Sequence, residues 1–173
     1  MTDDERLPDP AKAARALPRG SLVIARARDT KRREMLTQEL LNVARSRDLV
    51  VLVAGDPALA ARLGADGLHL PAARARETLY WRAHYPRFRF SVAAHSLGEI
   101  LRAALHGADA VFLSSLFPTQ SHPGRTALEP LRASFIARAV RIPVYALGGV
   151  TQENAGRLSH AFAGIAAIAA LAI

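Results

Sequence analysis

Hydrophobic and polar positions along this chain follow two rhythms. Short continuous apolar runs alternate with longer stretches striped at the 3.6-residue helical period. Pro8–Leu17 (PDPAKAARAL) predicts a short helix, with Asp9 as N-cap and Pro10 at its first position. Ser21–Ala27 (SLVIARA) predicts a buried strand. Thr30–Arg47 predicts a helix with Met35, Leu36, Leu40, Val43 and Ala44 along its packed stripe. Asp48–Ala54 (DLVVLVA) is apolar on both faces, as parallel strands covered by helices are. A short helix capped by Asp56 runs to Leu63, and a strand closes GADGLHL at Leu70. Then come a helix over Ala73–His84, a strand over Phe88–Ala93 and a helix over Ser96–His106 with capping-box spacing from Ser96 to Glu99. The strand Ala110–Phe117, the helix Leu131–Val140, the strand Pro143–Leu147, the helix Gln152–His160 and a strand within Gly164–Ala169 complete the pattern.

Strict alternation of strand and helix implies a parallel sheet with right-handed crossovers. No GxGxxG follows the first strand, so a closed α/β barrel is favoured over an open dinucleotide-binding sheet. With 173 residues the chain is expected to form one domain, residues 1–173, although an eight-fold barrel typically takes about 250 residues. Aromatics make up only 6% of the chain, so the core is expected to be Ala, Leu, Val and Ile. No apolar run approaches the ~18 residues of a membrane span, and the acidic Met1–Pro10 does not resemble a leader. A cytoplasmic protein with no membrane partner is expected. The net charge of +8 is almost entirely scattered Arg, without a basic-aromatic run, which argues against nucleic acid and for a field that draws in phosphorylated small molecules.

In parallel α/β folds ligands bind at the C-terminal ends of strands. The polar groups there are Arg26, Asp56, His69, His95, the loop Thr119–Arg125, and Gly148-Gly149. Each has an ordinary structural explanation alone: Asp56 caps a helix, and two glycines make a turn. As a set they offer backbone N–H groups for a phosphate and imidazoles for proton transfer.

Three stretches, ARLGADGLHLP, SVAAHSLGEILRAALHGADAVFLSSLFPTQSHPG and IPVYALGGVTQENAGRL, resemble the thiamine phosphate synthase/TenI family of (β/α)8 barrels in that order. The resemblance runs from about Ser21 onward. It implies a thiazole phosphate bound at the C-terminal face. Synthases of the family join it to a pyrimidine pyrophosphate with Mg²⁺; the TenI branch includes a metal-independent thiazole tautomerase.

The resemblance places Arg26 at the pyrimidine pocket and Asp56 at the first metal-binding Asp, with Gly55 in place of the neighbouring Asn. His69 closes the GADG-hydrophobic-His run. Pro71–Arg74 lacks the second metal carboxylate, and Ala93 stands where synthases have Ser. Thr119 and Ser121 match the pyrophosphate loop, but His122 replaces its Lys. Gly148 and Gly149 match the phosphate-holding pair, with Ala169 contributing a backbone contact. Ser115 occupies the position of the tautomerase His, which leaves His122 and His95 as the catalytic candidates.

The expectation is therefore a TenI-like barrel acting by proton transfer on a phosphorylated thiazole, without a metal cofactor. The alternatives are a synthase using Asp56 for Mg²⁺, and a non-catalytic binder of phosphate ligands. Only Met1-Thr2-Asp3 matches the family's first strand, and the family's last helix has no counterpart before Ile173. An incomplete barrel or a homo-oligomer covering the gap is expected.

Overall fold

The computed structural model describes residues 1–118, 127–158 and 160–168. Helices and parallel strands alternate through it as the hydrophobic pattern requires. The chain forms two compact units, the first comprising Met1–His69, Tyr85–Arg89 and Ile168, the second Leu70–His84 and Phe90–Ala167.

In the first unit, α1 (Pro10–Ala16), β1 (Leu22–Ala25), α2 (Thr30–Arg47), β2 (Val50–Ala54), α3 (Pro57–Leu63) and β3 (Gly67–Leu70) follow one another. β1 pairs in parallel with β2, Val23 opposite Val51, and β2 pairs with β3, Ala54 opposite His69. Its core packs Val23, Ala25, Val51 and Val53 against Leu36, Leu40 and Val43 of α2. Leu52 is fully buried too, so β2 is covered on both faces. Met35 is the exception to the predicted stripe: it lies 73% exposed, one position off the buried face. Asp29 caps α2 by accepting from Arg32 N at 2.8 Å, and Asp48 ends it in the left-handed conformation.

In the second unit, α4 (Glu77–His84), β4 (Arg89–Ala94), α5 (Leu97–Leu105), β5 (Ala110–Leu113), α6 (Pro130–Arg138), β6 (Val144–Ala146), α7 (Gln152–Ala155) and β7 (Gly164–Ile165) alternate. β4, β5, β6 and β7 pair in parallel in that order, with Leu113 opposite Ala94 and Ala146. Three elements differ from expectation. The helix expected from Ala73 is broken into a 3₁₀ turn at Ala72–Arg74 and α4, with Glu77 held by Arg74 at 2.7 Å and by Trp81 Nε1 at 3.1 Å. β5 stops at Leu113 because Leu116 N and Phe117 N leave the strand to donate to Leu147 O and Gly148 O. α7 ends at Ala155, before Gly156.

The GAD sequence at two helix-to-strand transitions does the same work twice. Val51 N donates to Asp66 Oδ2 at 2.7 Å and Asp66 N donates to Val51 O at 2.9 Å. Phe90 N likewise donates to Asp109 Oδ2 at 2.7 Å, and Asp109 N to Phe90 O at 2.8 Å. Each aspartate therefore clamps the beginning of the preceding strand with both its backbone and its carboxylate. Arg82 adds a bond to Asp109 Oδ2 at 2.8 Å and to Gly107 O at 2.8 Å. Asp109→Ala is expected to cost about 1–2 kcal/mol by leaving Phe90 N without its acceptor. Urea denaturation measures this; an unchanged midpoint would show the clamp to be dispensable.

Candidate functional site

The sequence-predicted residues of the first unit sit at strand ends, each held by neighbours. Arg26 follows β1. Its backbone N donates to Thr2 Oγ1 at 2.8 Å, and its guanidinium lies 3.0 Å from Asp3 Oδ2. Arg6 meets the same carboxylate at 2.6 Å. That hydrogen bond and charge hold the Asp3 carboxyl below the usual carboxylate range. Arg26 is thus fixed by an acid 23 residues earlier in the sequence.

Asp56 caps α3 through Oδ1, which accepts from Leu59 N at 2.9 Å. Its Oδ2 lies 3.7 Å from Arg33 Nη1, while Arg33 also donates to Ala27 O at 2.8 Å and 3.1 Å. Arg33 was not among the predicted site residues, because a charged position in the first turn of α2 carries no periodic signal. His69, at the end of β3, is 6% exposed. Burial lowers its pKa to about 3, and the positive charges of the Met1 amino group and Arg26 push the same way. The imidazole is therefore neutral at physiological pH, suited to hydrogen bonding rather than to carrying charge.

A Mg²⁺ site needs oxygen ligands, commonly one or two carboxylates plus substrate phosphates. Asp56 has one oxygen on a helix cap and the other facing a guanidinium. Among the described residues no group of three His, Cys, Asp or Glu side chains converges on one point. The described residues do not fit the ion.

The second unit holds four of the predicted residues, His95, Ser115, Gly148 and Gly149. His95 follows β4, and its Nδ1 lies 2.8 Å from Ser114 O and 3.2 Å from Ser114 Oγ. A carbonyl only accepts, so Nδ1 carries the hydrogen and Nε2 is the basic nitrogen. The expected capping box is shifted by one residue: Glu99 Oε2 accepts from His95 N at 2.6 Å rather than from Ser96 N, while Ser96 Oγ accepts from Glu99 N at 3.2 Å. Glu99 thereby fixes the backbone from which the imidazole projects.

Ser115, next to Ser114, lies against Gly148. A Cβ on Gly148 would fall 2.8 Å from Ser115 Cα and 3.1 Å from its Oγ. Gly148 and Gly149 both take positive φ, +93° and +66°. Among the described residues neither glycine N–H donates to a protein acceptor. Gly149 O accepts from Asn154 Nδ2 at 2.8 Å, and Asn154 Oδ1 accepts from Thr151 N at 2.9 Å, which locks the turn onto α7. Two backbone N–H groups in such a turn form a concavity of the kind that holds phosphate. Thr119, Ser121, His122 and Ala169 lie outside the described residues. A pocket of about 870 Å³ in this unit is lined by Phe117, Pro130, Phe135, Arg138 and Arg157 among others. None of the predicted residues that are described lines it.

The family profile described as "Thiamine monophosphate synthase" matches residues 2–171. A thiamine-phosphate synthase of Chlorobium luteolum is 35% identical over 167 residues, covering 91% of this chain and 76% of the relative. One of Chloroflexus aurantiacus is 32% identical over 168 residues, covering 90% and 74%. The fold is similar to that of the thiamine phosphate pyrophosphorylase from Pyrococcus furiosus, with a TM-score of 0.81 and 26% identity over 99% of this chain and 85% of that one. The likeness to 3-hexulose-6-phosphate synthase, with a TM-score of 0.68 at 12% identity, reflects the barrel-like α/β fold alone.

Proposed function

The chain belongs to the thiamine monophosphate synthase family, and we propose that it carries out the condensation its relatives are named for. In that reaction a phosphorylated thiazole is joined to hydroxymethylpyrimidine pyrophosphate. A new bond from thiazole to pyrimidine replaces the pyrimidine's bond to pyrophosphate, which leaves. The observation that carries this reading is the Gly148-Gly149 turn, closed against Ser115 and Phe117 with no room for a side chain. Its N–H groups would hold the thiazole's phosphate. The surplus of Arg over acidic residues favours an ester of this charge. On this reading Arg26, kept in place by Asp3, serves the pyrimidine partner. No step is assigned to magnesium.

The absence of a second metal carboxylate at Pro71–Arg74 favours a second reading, the TenI-like proton transfer that the sequence resemblance points to. A tautomerase needs no metal, and His95 has the defined tautomer a proton shuttle requires. His122 would share that role.

Purified protein given thiazole phosphate and pyrimidine pyrophosphate, with and without Mg²⁺, is expected to yield thiamine phosphate by mass spectrometry. Aromatisation of a thiazole carboxylate phosphate tautomer, with no joining under any condition, would replace the first reading by the second. Tight binding without either product would leave only the phosphate-binding role.

A further inference from the structure

We propose that the pocket between the segment leaving β5 and α6 is a binding site for a small aromatic anion. At about 870 Å³ it has the volume of a small-molecule site. Hydrogen bonds fix its lining. Leu116 N and Phe117 N donate to Leu147 O at 3.2 Å and Gly148 O at 3.1 Å, and Ser134 Oγ of α6 donates to Pro130 O at 2.7 Å. Glu129, also in the lining, stands at φ +59° and enters α6 without capping it by its side chain. Non-glycine residues held in that region of backbone space cluster at ligand clamps.

Two guanidiniums join this largely apolar lining, from Arg138 at the end of α6 and Arg157 just beyond α7. Arg157 lies over the Phe117 ring, 5.5 Å from its centroid. The ring covers one face of the guanidinium, and the N–H edge of such a group matches a carboxylate or a phosphate. Among the described residues neither arginine has a carboxylate within ion-pair distance, whereas Arg74 and Arg82 of the same unit are held by Glu77 and Asp109. Glu129 is the one described carboxylate of the lining, so two cations stand against one anion.

This chemistry selects the occupant. A purely apolar molecule would desolvate two cations without supplying a counter-charge. A bare inorganic anion would leave Phe117 and the 66% exposed Phe135 with nothing packed on them. A ring carrying a carboxylate or a phosphate answers both. The pocket is also distinct from the Gly148-Gly149 turn. Phe117 and Pro118 line it and wall Gly149 as well, whose Cβ would fall 2.6 Å from Pro118 O, yet neither glycine belongs to the lining. The site therefore stands whether or not the condensation does.

Anilinonaphthalene sulfonate, a fluorescent aromatic anion, tests this on the folded full chain. It is expected to bind at one site per chain and to raise the urea midpoint, as a ligand of the native state must. Phenylnaphthylamine, the same rings without the sulfonate, is expected to bind at least about tenfold more weakly. Arg138→Gln and Arg157→Gln are each expected to weaken binding of the sulfonate about tenfold. Arg132→Gln, on α6 but outside the lining, is expected to leave it unchanged. Phenyl phosphate or benzoate is expected to displace the dye, the more effective of the two naming the head group, while inorganic phosphate does not. Equal affinity for the two dyes, or indifference to both Arg138→Gln and Arg157→Gln, would overturn the proposal. So would displacement by inorganic phosphate at the same concentration, which would put the dye in the phosphate-holding turn.

Discussion

Replacing Gly149 by alanine is expected to lower affinity for a thiazole phosphate by at least about 100-fold and to destabilise the fold by about 2–4 kcal/mol. Two independent effects add at this position. The residue sits at φ +66°, where an L side chain costs roughly 1–2 kcal/mol. Its Cβ would also fall 2.6 Å from Pro118 O, 2.8 Å from Phe117 Cβ and 2.9 Å from Phe117 O. Two of these are backbone oxygens on the segment leaving β5, so relief requires moving the chain that forms the other wall of the turn. The N–H groups would then no longer converge on one anion. Gly156→Ala is the internal control: it has an ordinary φ of −64° and nothing within 4 Å of its Cβ. That variant is expected to bind as wild type and to be slightly more stable through loss of unfolded-state entropy. Calorimetric titration with the phosphate ester, together with urea denaturation, separates binding from folding. Binding by Gly149→Ala within twofold of wild type would remove the turn from the site.

The success of the sequence reading and its gaps have different physical origins. α2 occupies Thr30–Arg47 as expected because its stripe, its Asp29 cap and its left-handed Asp48 terminus all agree. β2 was visible because burial on both faces leaves an uninterrupted apolar run. The end of β5 was not visible. Ser114 to Phe117 continues the apolar composition, and only the competing carbonyls of Leu147 and Gly148 take the backbone out of the strand. Composition records what a residue prefers to bury, not which acceptor wins its N–H.

The candidate residues divide along the same line. The placement of Gly148-Gly149 and His95 at strand ends was legible because it follows from the alternation itself. The pairs Asp3–Arg26 and Arg33–Asp56 were not, since both join residues about 23 apart in sequence. Hydrophobic period says nothing about which of many arginines meets a given acid. Arg33 beside Asp56 makes the residue expected as a metal ligand one arm of an ion pair.

His69 sets the acid sensitivity expected of the fold. Its pKa is lowered from 6.5 to about 3 by burial, assisted by the facing positive charges of the Met1 amino group and Arg26. In the unfolded chain the imidazole takes up a proton below pH 6.5, while in the folded chain it does not until about pH 3. Stability from this group is therefore complete above pH 6.5 and falls as the solution is acidified through that window. Between pH 6 and pH 4.5 the loss should be about 2 kcal/mol, at 1.36 kcal/mol per pH unit. The other described groups held away from their ordinary range act mainly outside this interval. The Met1 amino group, lowered to about 6 by burial, acts mainly above it. The carboxyls of Glu34, Glu77 and Asp3, all held low by hydrogen bonds to Arg62, Arg74 and Arg6, contribute losses mainly below it. Urea midpoints measured across the interval should thus decline steeply for wild type and stay nearly level for His69→Gln. The comparison is of slopes, so it tolerates whatever stability the substitution removes at neutral pH. Parallel slopes in the two proteins would mean that solvent reaches the imidazole in the folded state. His69 would then titrate as an ordinary histidine and be available to act as an acid as well as a hydrogen-bonding group.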